Sequence, residues 1–221
     1  MSTEINIEIN NTKLKCIDEA KYLGIVIDSK LVWNSHINNI CKKISQINCI
    51  FYRIRDVLSL KILRNLYYAF IYPYLTYGIE IWSSTSAKNI NNITKCQKRI
   101  IRTIMFETKL AHTSPYFIYV RILPIQLIIR MKIAEYMHKI FYNNNKNNAN
   151  INIRTNYGNI ITRNTGKFFI QRSNTTKHLK FITNTGPRIW NTLPSEITDN
   201  KSYNSFKISL KNYLYEKISE E

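Results

Sequence analysis

The stretch SHINNICKKISQINCIFYRI, residues 35–54, decides how this chain folds. Ile37, Ile40, Ile44, Ile47, Phe51 and Ile54 recur at alternating three- and four-residue steps. They form one apolar stripe along about five turns of helix, with Asn34 or Ser35 expected as its N-cap. Downstream the same period continues. A second helix is predicted from Ser59 through Leu63, Leu66, Tyr67 and Phe70, stopping before Pro73. A third covers residues 86–106, with Ile90, Ile93, Ile100 and Ile104 on its inner face. Pro115 and Pro124 suit first-turn positions of two more, the longer reaching Tyr142. Upstream the period is two. Ile5, Ile7 and Ile9 alternate with Asn6, Glu8 and Asn10, Asn10-Asn11 is a turn signal, and Lys13 to Ile17 resumes the alternation as a hairpin. Tyr22 to Ile27 reads as a third strand ending at Asp28-Ser29. So little sheet cannot stand alone, and a chain beginning near Leu31 is expected to keep its helical core.

Beyond the helices, residues 143–150 are a low-complexity Asn-rich linker. Short segments through Ile182 read as irregular strands, and Gly186-Pro187 and Leu193-Pro194 punctuate a turn-rich stretch. Residues 202–217 close the chain with a helix carrying Phe206, Leu210 and Leu214. The expected fold is α+β and mainly α: a β segment over 1–33, a helical domain over 34–142, the linker, and a small mixed α/β domain over 151–221.

At 221 residues, 44% hydrophobic and 12% aromatic, the chain can bury a sizeable core, which excludes global disorder. Its net charge of +18 calls for a polyanionic partner, nucleic acid or an anionic membrane surface. The charge is unevenly placed: −1 over residues 1–33, +12 over 34–142 and +7 over 143–221. The four cysteines form no Cys-x-x-Cys pair and the four histidines stand at no ligand spacing, so zinc is not expected and the thiols read as reduced and mostly buried. The N-terminus is no secretory signal. The longest weakly charged run, 66–82, is broken by Pro73 and too polar to span a membrane, which points to an intracellular protein of the nucleus or cytoplasm. None of the five glycines sits in a phosphate-cradling motif.

The 86–106 helix is the most informative element. Lys88, Lys95, Lys98, Arg99 and Arg102 share the face opposite its isoleucines, and no Asp or Glu is interspersed. An ordinary solvated face mixes both signs, so this one reads as a phosphate-tracking surface. Lys42 and Arg53 on the outer face of the first helix are a weaker signal. Tyr67, Tyr68, Tyr72, Tyr74 and Tyr77 have rings that stack on bases, although at this density they read as core or rim packing.

Lys21-Tyr22-Leu23-Gly24-Ile25, followed by Asp28, Leu31-Val32-Trp33 and His36-Ile37, resembles the part of a non-LTR (LINE-type, jockey-like) retrotransposon reverse transcriptase that follows the palm. The resemblance continues through residues 66–78, Ile81-Trp82, Gln97-Lys98-Arg99, Ile101-Arg102 and 122–125, and resumes at 186–194, Ser205-Phe206-Lys207 and Leu210-Lys211. It implies a primer-grip hairpin at Lys21, Tyr22, Leu23 and Gly24 on the palm edge, and a helical thumb closing over template–primer. For Gly24 the expected physical reason is close backbone approach. The implied partners are nucleic acid (RNA template, DNA primer, RNA–DNA hybrid) and the missing palm and fingers. Such enzymes synthesise DNA with Mg²⁺ held by clustered carboxylates. Here Asp18, Asp28, Asp56 and Asp199 are never adjacent, so no catalytic or metal-binding residue and no cofactor is assigned to this chain. The expectation is a C-terminal polymerase fragment, inactive alone, that retains template–primer binding. The alternative is a degenerate or co-opted basic module for nucleic-acid or protein interaction with no polymerase role. Membrane-surface binding fits the charge but not the Tyr-rich, helix-packed pattern.

Overall fold

The computed structural model describes residues 8–9, 12–13, 16–142, 151 and 167–220. The alternation at Ile5 and Ile7, the Asn10-Asn11 turn and the 143–150 linker lie outside the described residues. Two short antiparallel hairpins open the chain: β1 (Glu8–Ile9) with β2 (Thr12–Lys13), and β3 (Glu19–Tyr22) with β4 (Ile25–Asp28). Helices follow: α1 (Asn34–Ile54), α2 (Leu60–Phe70), α3 (Tyr72–Thr76), α4 (Ile79–Trp82), α5 (Ala87–Ile104), α6 (Ser114–Tyr119), α7 (Ile125–Tyr142), α8 (Thr176–Lys180), α9 (Ile182–Asn191), α10 (Ser195–Thr198) and α11 (Tyr203–Glu220). The fold is α+β and mainly α.

Several elements differ from the sequence reading. Tyr22 to Ile27 is not one strand but a hairpin, turned at Leu23 (φ 46°) and Gly24 (φ 84°), both left-handed as a tight two-residue turn requires. Gly24 is there for that φ and not for close approach, since a Cβ would stand 3.7 Å from the Tyr77 ring, an ordinary contact. Close approach belongs to Gly78, where a Cβ would meet Ile25 Cδ1 at 2.4 Å. Neither Asn34 nor Ser35 caps α1. Trp33 holds that place in a left-handed conformation, and the Asp28 carboxylate fixes the entry loop by accepting the N–H groups of Lys30 (3.2 Å), Val32 (2.9 Å) and Trp33 (2.6 Å). Pro73 does end α2, but α3 restarts across it, because a first-turn proline sacrifices no intrahelical bond. Among the described residues of the C-terminal part, α8 stands where an irregular strand was expected, and α9 replaces the expected turn-rich stretch, with Gly186-Pro187 inside the helix. A Cβ on Gly186 would sit 2.5 Å from Met137 Sδ, so the glycine lets α9 lie close on α7. The thiols also differ: Cys41 and Cys96 are half-buried, Cys16 and Cys49 exposed.

The core is one cluster around α7, whose buried side chains fall on all sides because it packs against α3, α4, α5, α9 and α11. Its far end is aromatic: His138 stacks on Phe206 at 4.3 Å and Phe141 on Trp190 at 5.4 Å, bringing α9 and α11 onto the bundle. At the other end α1 lies along α5. Asn89 Nδ2 donates to Asn34 Oδ1 (2.8 Å) near one end and Arg55 lies over the Phe106 ring (5.0 Å) near the other, so the two helices run parallel.

The second hairpin is tied to this bundle. Ile25 is buried in the core, Tyr77 donates its hydroxyl to Leu23 O (2.6 Å), and Val26 N–H donates to His36 Nδ1 (3.4 Å). Beyond it, Thr85 Oγ1 (2.9 Å) and Asn89 Nδ2 (3.3 Å) hold Val32 O, and Trp33 Nε1 donates to Ser84 Oγ (3.1 Å). Residues before Leu31 therefore hold the start of α1 in place.

Candidate nucleic-acid interface

Two basic concavities flank α1. The first, of about 970 Å³, opens between the β3–β4 hairpin, α1 and α3. Lys21 and Gly24 come from the hairpin, Lys42 and Lys43 from α1, and the exposed Tyr74 and Tyr77 from α3 and its end. No carboxylate is among its lining residues, while Asn39 and Gln46 add amides. His36 also lines it. Burial holds this imidazole below its ordinary pKa, so it is neutral, and the Val26 N–H on Nδ1 makes Nε2 the protonated nitrogen, buried without a protein partner. Lys21 is exposed, and at the hairpin tip Tyr22 and Leu23 are 66% and 71% exposed.

The second concavity, of about 480 Å³, lies along α1 and α5. It gathers Lys95, Lys98, Arg99 and Arg102 from α5, Arg55 from just past α1, and Lys109 from the loop after α5. Arg55 is wedged between two rings, 4.4 Å from the Tyr52 centroid and 5.0 Å from that of Phe106. Glu107 is the one carboxylate lining the groove, and it accepts the Tyr116 hydroxyl. Arg102 is anchored, donating Nε–H to Ala111 O (2.9 Å), which shapes the loop that carries Lys109.

The local sequence explains why this face stays cationic. The Ser86 hydroxyl accepts the Asn89 N–H and starts α5, while Ile93, Ile100, Ile101 and Ile104 bury the opposite side. Gln97, in the middle, is fully buried and fully bonded: its Nε2 donates to Tyr67 Oη and Leu123 O (2.8 Å each), and its Oε1 accepts the Ile125 N–H (2.8 Å). In Gln97-Lys98-Arg99, then, the first residue locks α5 to the start of α7 and the next two face the groove. Beside them Cys96 on α5 meets Cys41 on α1. The hydrogen bond from Cys41 outweighs burial and, with Ser45 and Arg99, holds the Cys96 thiol below the ordinary thiol range.

Of the residues singled out from sequence, Lys21, Gly24 and Lys42 meet in the first cleft and Lys95, Lys98, Arg99 and Arg102 in the second. Arg53 and Lys88 are exposed and line neither. The five tyrosines divide: Tyr67 is buried, Tyr68 and Tyr72 half-buried, Tyr74 and Tyr77 open on the first cleft. Sequence reasoning missed Lys43, His36, Arg55 and Lys109. Arg55 carried a local signal, three residues from Tyr52 on one helix face; Lys109 reaches the groove through a loop that no pattern announced. Among the described residues no group of three or more His, Cys, Asp or Glu side chains gathers to hold a metal, so these residues do not fit the Mg²⁺ pair that a polymerase palm carries. Among them, too, no helix is long and apolar enough to cross a membrane.

The structure is thus a helical bundle with a hairpin docked at one end and two basic clefts flanking α1. Comparison with curated proteins finds distant relatives. The probable RNA-directed DNA polymerase from transposon BS of Drosophila melanogaster is 29% identical over 102 residues. The RNA-directed DNA polymerases from mobile element jockey of Drosophila melanogaster and Drosophila funebris are each 28% identical over 102 residues. Each alignment covers 44% of this chain and 11% of the relative, so the chain matches about a tenth of the length of those proteins. No family model matches, and no solved structure matches. The chain is a distant relative of transposon RNA-directed DNA polymerases.

Proposed function

We propose that this chain is the post-palm part of a retrotransposon reverse transcriptase, and that it holds template–primer without carrying the catalytic carboxylates. The α1–α5 groove takes the sugar–phosphate backbone, and the cleft under the Lys21–Gly24 hairpin takes the primer end. The single observation that carries the binding role is the groove itself: six cations from α1's end, α5 and the following loop converge, Arg55 alone of them paired, with Asp56 at 3.8 Å, and the one lining carboxylate, Glu107, is engaged by Tyr116. An ordinary solvated helix face would intersperse acids and would not recruit cations from its neighbours. Recognition by charge suits a polymerase, which must accept whatever sequence it copies, since phosphate contacts carry no sequence information.

The test is the salt dependence of binding to an RNA–DNA hybrid. Changing Lys95, Lys98 and Arg99 together to Gln spares the anchored Arg102. It is expected to lower the log–log salt slope by about 2 to 3 units, at roughly 0.9 per phosphate on B-form DNA, with helicity unchanged. The control changes the exposed Lys167, Lys180 and Lys201, which line neither cleft. Equal losses in the two triple variants would mean diffuse charge and would refute the groove.

A further inference from the structure

Away from both clefts, a third set of cations converges where α2, the turn after α6 and α11 meet. Arg64 on α2 and Lys211 on α11 both lie over the ring of Tyr68, 5.7 Å and 5.6 Å from its centroid, and Lys211 is also 5.9 Å from that of Tyr215. The same two tyrosines fix the turn: Tyr68 and Tyr215 donate their hydroxyls to Arg121 O at 2.7 Å and 2.6 Å. Arg121 itself sits in a left-handed conformation (φ 51°) and is exposed. Lys207, one turn before Lys211, is exposed on α11.

Arg64 and Lys211 thus share one ring, Arg121 and Lys207 lie near enough to act on the Lys211 charge, and among the described residues none of the four is ion-paired with a carboxylate. Arg64 Nε is buried without a hydrogen-bond partner. Burial, with Arg64, Lys207 and Arg121 nearby, holds the Lys211 ammonium below its ordinary pKa, so this charge is kept at a cost. Solubility does not require half-buried cations stacked on one tyrosine; an anion that neutralises them does.

We infer that the Arg64–Arg121–Lys207–Lys211 cluster is a second phosphate-binding site, contacting the nucleic-acid backbone outside the α1–α5 groove and making α11 part of the interface. Tyr68 and Tyr215 position its cations. Arg64 presents a planar fork suited to two oxygens of one phosphate, while the two lysines act as point charges on its neighbours. The inference rests on the proposed function only for the identity of the anion.

Two measurements on the full chain test it. In the first, Arg64→Gln, Lys207→Gln and Lys211→Gln are combined and hybrid binding is followed across a salt series, beside the α5 triple variant. The expected result is a slope lower by about 2 to 3 units in each variant separately. An unchanged slope in the cluster variant, with the α5 variant impaired, would overturn this inference and leave the groove standing; unchanged slopes in both would overturn both. The second needs no substitution, so it holds even if the variant folds poorly. Lysines of the unaltered chain are trace-acetylated with and without hybrid and quantified by mass spectrometry. Lys207 and Lys211 are expected to be protected by hybrid while Lys201 is not. Equal labelling of all three with and without hybrid, or protection by polyglutamate but not by hybrid, would refute a nucleic-acid phosphate site here.

Discussion

Replacing Gln97 by Leu tests whether one buried amide joins α5 to α7. The side chain is wholly inaccessible and satisfies three groups at once: the Tyr67 hydroxyl, the Leu123 carbonyl and the Ile125 N–H that opens α7. Leucine is of similar size and leaves little cavity, but it orphans all three partners in the core. At about 1–3 kcal/mol per unsatisfied buried group, and allowing for partial relaxation, the loss is about 3–6 kcal/mol. That is a large fraction of the roughly 5–15 kcal/mol available to a domain. For a chain of this size each kcal/mol moves Tm by about 2–4 °C, so thermal unfolding followed by circular dichroism is expected to fall by roughly 6–24 °C. Below that lowered transition the folded protein keeps Lys98 and Arg99 in place, and hybrid binding per folded molecule is expected to be unchanged. A Tm within about 2 °C of the parent, inside the scatter of ordinary surface substitutions, would show that the Gln97 network is not what joins α5 to α7.

Two glycines separate conformational strain from steric overlap. Gly24→Ala meets only an ordinary contact with the Tyr77 ring and is expected to cost about 1–2 kcal/mol for its positive φ alone, whereas Gly78→Ala adds the 2.4 Å collision with Ile25 and is expected to cost about 2–4 kcal/mol. Equal urea midpoints for the two variants would contradict that distinction. Asp28 supplies a pH signature. Burial pushes its carboxyl up, but the Val32, Trp33 and Lys30 N–H groups outweigh it and hold the pKa below the usual carboxylate range. A depressed folded pKa gives stability that is complete above the unfolded value of about 4 and is lost as pH falls through the lower folded value. Asp28→Asn is therefore expected to destabilise by about 1–2 kcal/mol near neutrality, with the gap to the parent closing in acid; a gap that widens in acid would refute the assignment.

What was legible in the sequence was whatever local periodicity determines. The apolar stripes of α1 and α5 follow from spacing and side-chain chemistry alone, and so did the cationic α5 face. The features that escaped depend on partners far along the chain. The Leu23-Gly24 turn carries no Asn-Gly or Asp-Gly pair, and a leucine at positive φ is held there by a tyrosine 54 residues later. Gly186-Pro187 reads as a turn because its reason for being helical, contact with Met137, lies on another helix. Arg64, Arg121, Lys207 and Lys211 are spread over almost 150 positions, and no window of sequence brings them together.

In the proposed binding mode the hairpin cleft receives the primer end while the α1–α5 groove tracks the duplex. This mode is tested most directly by photocrosslinking the full chain to an RNA–DNA hybrid bearing one reactive group, placed either at the primer 3′ end or within the duplex, followed by peptide mapping. The 3′ probe is expected to label peptides containing Lys21–Gly24 or Lys42-Lys43, and the internal probe the peptide carrying Lys95, Lys98 and Arg99. Identical labelling patterns from the two probes, or labelling that avoids both clefts, would contradict it.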